Sequence, residues 1–197
     1  MTEEEWLSLK DPEGIFALLT EVASQRKCIL FCIGCCCFQA RNRMTRPWRA
    51  TEQFADGQIT SEALAEIWYD GSSSMGTEAH FQSPPPLQPK LWARDWSRRD
   101  FGSSIKPSLS PDAVTQIIRC IFGNPFRPVT LDTSWVTSTV TTLARTMYES
   151  RDFSAMPILA DALQDAGCSE DQVLSHCRGE GVHVRGCFLI DLLTGRE

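Results

Sequence analysis

Apolar residues recur every three or four positions through most of the chain, and that spacing is interrupted by Pro, Gly and Ser clusters. In "DPEGIFALLTEVAS", Ile15, Leu18, Leu19 and Val22 line one helical face. Asp11 is the expected N-cap of that helix, and Pro12 takes its first position, where a missing N–H does no harm. Thr2 and Glu5 predict a capping box for a short helix before it. The run "CILFCIGCCCF" follows, with Cys28, Cys32 and Cys35 four and three apart and therefore on one face. Ile29, Leu30, Cys36 and Cys37 widen that face until the helix is apolar all round, the pattern of a buried helix. Arg26 and Lys27 before it, and Arg41 and Arg43 after it, mark its return to water. Gly34 lets a neighbouring helix come close.

Two short helices are predicted next, one from Pro47 to Gly57 and one capped by Thr60 or Ser61 and stopped at Gly71. The periodicity then lapses. "GSSSMGTEAHFQSPPPLQPK" reads as a linker or loop, and "LWARDWSRRDF" fits either a helix or an irregular segment. Helical order resumes at "SPDAVTQIIRCIFG", with Ser110 as cap, Pro111 first and Gly123 last. "NPFRPVTLD" carries two prolines three apart, so it predicts an ordered turn or extended crossing. Helices are then expected over Ser138–Ser150, over Met156–Ala166 with Gly167 as the stop, and over Ser169–Cys177. Ser169 and Gln172 would form a capping box for the last of these. "GCFLIDLL" predicts a final packed helix.

No dinucleotide fingerprint, phosphate loop or strand-alternating block occurs, so the fold expected is all-α. It would hold about seven to nine short helices with a Pro/Ser-rich irregular middle. Residues 1–70 form an N-terminal helical half, 71–109 the linker or irregular segment, and 110–197 a C-terminal half in one domain with the first.

Composition narrows the function. The 197 residues carry a net charge of -6 and a pI near 5.1. That argues against unaided nucleic-acid binding, which rests on clustered Lys and Arg. The best basic patch, Arg41 to Arg49, reads more simply as a solvated helix end and loop. The first residues lack the order of a secretory signal, and the longest apolar run falls short of the roughly 20 residues a membrane span needs. A soluble, cytoplasmic protein with no membrane partner is expected. The chain has nine cysteines, an odd count, and five fall between Cys28 and Cys37. Reduced thiols fit that crowding better than a disulfide framework does.

Several stretches together resemble a bacterial, planctomycete-type family of uncharacterised proteins of unknown function. They are "MTEEEWL", "RKCILFCIGCCCF", "QFADGQITSEAL", "IFGNPFRPVTLD", "LARTMYESRDFSAMPILADALQDAGC" and "LSHCRGEGVHVRGCFLIDLLTGRE". The sequence departs from that family at "SPPPLQPK", where relatives tend to carry an alanine-rich helical stretch. The resemblance implies an intact fold and a bacterial, cytoplasmic origin, and it transfers no site.

Candidate chemistry concentrates in "HCRGEGVHVRGC", His176 to Cys187. Structural zinc takes four Cys or His ligands, commonly as close pairs such as C-x2-C, and no such pair occurs here. His176 and Cys177 are adjacent and can rarely both reach one ion. The set expected of a zinc site is Cys168, Cys177, His183 and Cys187, with His176 in place of Cys177 as the variant. The simpler expectation is a core closure. The cysteines would then be buried thiols, His176 and Arg178 would interact with a helix C-terminus, and the glycines would permit the turn. His183 and Arg185 would anchor that turn to carbonyls or to Asp191.

A nucleophile–base pair of Cys177 with His183, or Cys187 with His176, is a further reading. Against it, "GSSSMG" has Met75 where a serine-hydrolase elbow needs glycine. Asp161 and Asp165 share a helical face as solvated acids. Cys35, Cys36 and Cys37 diverge by about 100° per residue and cannot converge on a cluster. "GNPFRPV" would display Asn124, Phe126 and Arg127 as an interaction loop, or else Phe126 would plug the core while Arg127 pairs with Asp132. The function expected is a non-enzymatic helical module that binds a protein partner or a second copy of itself. The alternative is a small structural zinc protein.

Overall fold

A computed structural model describes residues 2–8, 10, 12–19, 23–39, 45–72 and 109–196, with backbone alone at 13, 16–18, 36–39, 71 and 72. Among these residues the regular structure is helical, without strands, so the protein is all-α. The helices are α1 (Glu3–Ser8), α2 (Pro12–Leu19), α3 (Gln25–Gln39), α4 (Arg46–Ala55), α5 (Ser61–Ser72), α6 (Pro111–Phe122), α7 (Ser138–Ser150), α8 (Met156–Asp165), α9 (Asp171–Arg178) and α10 (Phe188–Thr194). A 3-10 turn covers Thr133–Trp135. No described helix is long and apolar enough to cross a membrane.

The chain divides into two compact units, Leu9–Thr115 and a discontinuous one made of Met1–Ser8 with Gln116–Glu197. In the first unit α4 packs against both α3 and α5. Cys28, Cys32 and Cys35 are buried, as are Ile29, Leu30, Phe31 and Ile33 between them, as expected of a helix apolar on every side. Ile29, Leu30 and Ile33 meet Trp48, Phe54 and Ala55. Arg26 pairs with Asp56 at 3.1 Å, both side chains nearly buried. The indole of Trp68 stands edge-on to Trp48 and donates to Thr51 Oγ1 at 3.0 Å, while the Thr51 hydroxyl donates to the Pro47 carbonyl. A buried polar chain of this kind is stable because each member finds a partner.

The second unit holds the larger described core. Val140, Ala144, Met147 and Tyr148 form the inner stripe of α7, and Leu159, Ala160 and Leu163 that of α8. Val173 and Cys177 line α9, and Leu189, Ile190 and Leu193 line α10. The first eight residues join this unit rather than an N-terminal half, because Glu3 is clasped from the far side of the sequence. Asn124 Nδ2 donates to its carboxylate at 2.9 Å, and Arg127 pairs with it at 2.8 Å. Arg119 caps the end of α1 through the carbonyls of Trp6 and Leu7.

Most predicted caps form. Thr2 and Glu5 exchange both capping-box bonds, and Thr60 and Ser110 cap α5 and α6. Three expectations are corrected. Helix α5 runs through Gly71 to Ser72. Helix α9 starts at Asp171 behind Glu170, with no Ser169–Gln172 box. The cause is the end of α8, where Gly167 turns left-handed and Cys168 N–H donates back to the Leu163 carbonyl at 2.9 Å. That closure holds the backbone before Ser169, so α9 begins two residues later. Arg127 pairs with Glu3 rather than Asp132, and Phe126, 41% exposed, leans on Trp6 instead of plugging the core. The Asp11 cap, Arg41, Arg43 and the irregular segment from 73 to 108 lie outside the described residues.

Candidate metal centre

Three elements of the discontinuous unit converge on one point. Helix α6 turns Ile117, Ile118, Cys120 and Ile121 into the interior. It ends at Gly123, whose φ of +66° suits glycine, and a Cβ there would lie 3.1 Å from the ring of Phe188. The end of α6 therefore sits against the start of α10, next to Cys187. Cys187 is the N-cap residue of α10 but makes no side-chain cap bond, so its thiol is available to the interior. Helix α9 presents His176 beside its core stripe, and Arg178 ties that end of α9 to Asp161 and Gln164 of α8. Between α9 and α10, Val182 N–H donates to Gln116 Oε1 at 3.3 Å and Cys187 N–H to the Val184 carbonyl at 3.0 Å. Gly186, with φ +93°, completes the turn that swings His183 inward.

The result is a Cys2His2 group. One donor atom from each of Cys120, His176, His183 and Cys187 lies within 4.8 Å of all the others. His176 Nε2 is 3.1 Å from Cys187 Sγ, and His183 Nδ1 is 3.9 Å from Cys120 Sγ. Both sulfurs are buried and both rings half-buried. The imidazoles meet edge to face with centroids 4.8 Å apart, and Phe188 and Phe153 flank them. His183 Nε2 is buried without a hydrogen-bond partner. A ring placed for its own hydrogen bonding would not be packed so.

These positions suit one small tetrahedral ion. Zinc bonds of about 2.3 Å to sulfur and about 2.0–2.1 Å to nitrogen put neighbouring ligand atoms roughly 3.3–3.8 Å apart. Two of the observed separations, 3.1 and 3.9 Å, bracket that range, and the full set, within 4.8 Å, would draw in slightly around an ion. Two thiolates and two neutral imidazoles also balance a divalent charge, which a buried site requires. The donor softness suits zinc over magnesium or calcium.

Electrostatics separate the cysteines. Burial alone would raise the Cys187 thiol, yet it is held well below the usual range. A hydrogen bond with Cys120, the charge of His176, and hydrogen bonds from both imidazoles outweigh the desolvation. Cys177 goes the other way, to about 12, pushed by burial and then by the neighbouring Cys187 and Cys168 sulfurs, with Arg178 only partly opposing. Burial also raises Cys168.

Of the residues the sequence suggests, His183 and Cys187 join the group, while Cys168 and Cys177 do not. Cys168 is the residue that closes the α8 turn over Leu163, within the same hydrophobic core. Cys177 follows Val173 by four positions and belongs to the inner stripe of α9. His176, rotated about 100° from it, faces the thiol of Cys187 instead of interacting with a helix end. Cys120 is the ligand that sequence reasoning misses. Its only local signal is a thiol on the apolar face of α6, with no fixed spacing to the other three. Of the two Cys–His pairs considered, Cys187 with His176 is in hydrogen-bond contact, and Arg178 rather than a catalytic partner holds Asp161. Asn124 and Arg127 bind Glu3 and so act as internal ties. No protein family, curated protein or solved structure matches the chain.

Proposed function

We propose that this protein is a non-enzymatic helical module whose discontinuous unit is fastened by a structural zinc ion held by Cys120, His176, His183 and Cys187. The observation that carries this reading is the mutual approach of all four donor atoms within 4.8 Å. Four protein ligands leave no open position for substrate or activated water, which favours a structural over a catalytic ion. The Cys187–His176 contact by itself would suit a nucleophile and base, but Cys187 is 0% exposed and a substrate needs access. The ion would join α6 to the distant α9–turn–α10 segment, which supplies the other three ligands.

Native mass spectrometry of chain purified without chelator, alongside metal analysis, tests the reading. One zinc per chain is expected, absent from Cys120→Ser and retained in Cys168→Ser. Metal-free chain that takes up no zinc on titration would overturn it. A second reading, self-association or protein binding, is supported by the exposure of Leu7 and Phe126 around Trp6. Sedimentation of the chain beside Leu7→Asp and Phe126→Asp tests it, with a monomer at all concentrations counting against self-association.

A further inference from the structure

The metal group brings together two sulfurs that no sequence spacing connects, and this points to a second chemistry that rests on the zinc reading above. We propose that Cys120 and Cys187 are a peroxide-oxidisable pair whose conversion to a disulfide expels the metal and frees the turn between α9 and α10. Their Sγ atoms lie within 4.8 Å of each other. Their backbones are held close as well, because Gly123 at the end of α6 abuts the Phe188 ring at the start of α10. A disulfide of about 2.05 Å therefore needs side-chain rotation and a small closure rather than a rearrangement of helices.

The chemistry balances with a peroxide as two-electron oxidant. One thiolate attacks a peroxide oxygen, the O–O bond breaks, and hydroxide departs, leaving a sulfenic acid. The second thiolate then attacks that sulfur, the S–S bond forms, the S–O bond breaks, and a second hydroxide leaves. Two protons from the surrounding buffer convert the two hydroxides to water. Two electrons pass from the sulfurs to the peroxide, and the metal, which changes no oxidation state, leaves as the divalent ion. Two imidazoles remain, half of the four ligands a structural zinc needs.

Access comes through the turn. Gly179, Glu180 and Gly181 are exposed, and Val182 and His183 are half-buried. Across it Gly179 N–H donates to the Ser175 carbonyl, Val182 N–H to Gln116 Oε1 and Cys187 N–H to the Val184 carbonyl, and local opening of this exposed stretch would admit a small oxidant. Cys168 and Cys177 are buried in the same hydrophobic core, but neither belongs to the four-donor group. The disulfide would keep α6 joined to the start of α10, two of the elements that the metal joins. The core would stay closed while His183 and its turn lose their anchor.

The test treats zinc-loaded full-length chain with hydrogen peroxide in the presence of a chromogenic zinc chelator. Peptide mapping after alkylation in denaturant follows. One zinc released per chain, in step with a peptide linking Cys120 to Cys187, is expected, and Cys168→Ala and Cys177→Ala should behave alike. Dithiothreitol with added zinc should restore the metal. Retained zinc, release with only sulfinic or sulfonic products, or a link through Cys177 would each overturn the proposal. Failure of the zinc reading is distinguishable, because it would appear as missing metal before any peroxide is added.

Discussion

The Cys120 thiol lies 3.9 Å from Nδ1 of His183, a residue 63 positions further along the chain. Neither residue has a local reason to meet the other, and the contact exists because α6 and α10 share the Gly123–Phe188 junction. Stripping the metal should therefore loosen tertiary structure while leaving the helices largely intact. An ion at a thousandfold excess over its dissociation constant adds about 4 kcal/mol. Removal by chelator should then lower Tm by roughly 15 °C or more, at about 4–8 °C per kcal/mol for a unit of this size. Calorimetry with and without chelator measures this, and Cys120→Ser should show the lower Tm and no chelator response.

Cys177 gives a pH-dependent test that leaves the metal ligands alone. Its thiol is raised in the folded chain to about 12 from an ordinary value of 9.0. Below pH 9 it is protonated in both states and neutral in the balance. Above 9 the unfolded chain ionises first, so stability falls as pH climbs towards 12. Cys177→Ala should lose some stability from its cavity at pH 7, yet its stability should decline less between pH 9 and 11. Urea midpoints across that range decide it.

Gly123 is a geometric hinge of the site. Gly123→Ala forces a left-handed residue to carry a Cβ 3.1 Å from the Phe188 ring, which should cost about 1–3 kcal/mol and weaken zinc binding. Gly181→Ala is the control, since a Cβ there meets nothing within 4 Å. Competition titration with a zinc indicator should separate the two.

Arg151 ends α7 at φ 61°, the one described non-glycine residue with positive φ. Arg151→Gly should relieve that strain and raise stability by about 0.5–1 kcal/mol, despite losing the bond to the Glu149 carbonyl. An unchanged or lowered urea midpoint would show that the side chain outweighs the strain.

Helix ends were the most legible part of the fold, because caps are short-range chemistry. Ser110, Thr60 and the Thr2–Glu5 box each act within three residues. Ser169 misled because its backbone was already committed to the close of α8. The site was half legible. His183 and Cys187 lie in a glycine-rich turn that advertises itself, whereas choosing His176 over Cys177 required knowing that Val173 and Cys177 share the core stripe. Cys120 was hidden altogether, since its membership depends on where α6 docks.

The clasp of Glu3 by Asn124 and Arg127 also orders events on the ribosome. Asn124 is 121 residues from Glu3. At about 5–20 residues per second, α1 emerges roughly ten seconds before its partner is made. The intervening unit is synthesised whole in that interval. The opening helix must wait, its Trp6 uncovered, until the later half of the chain arrives to receive it.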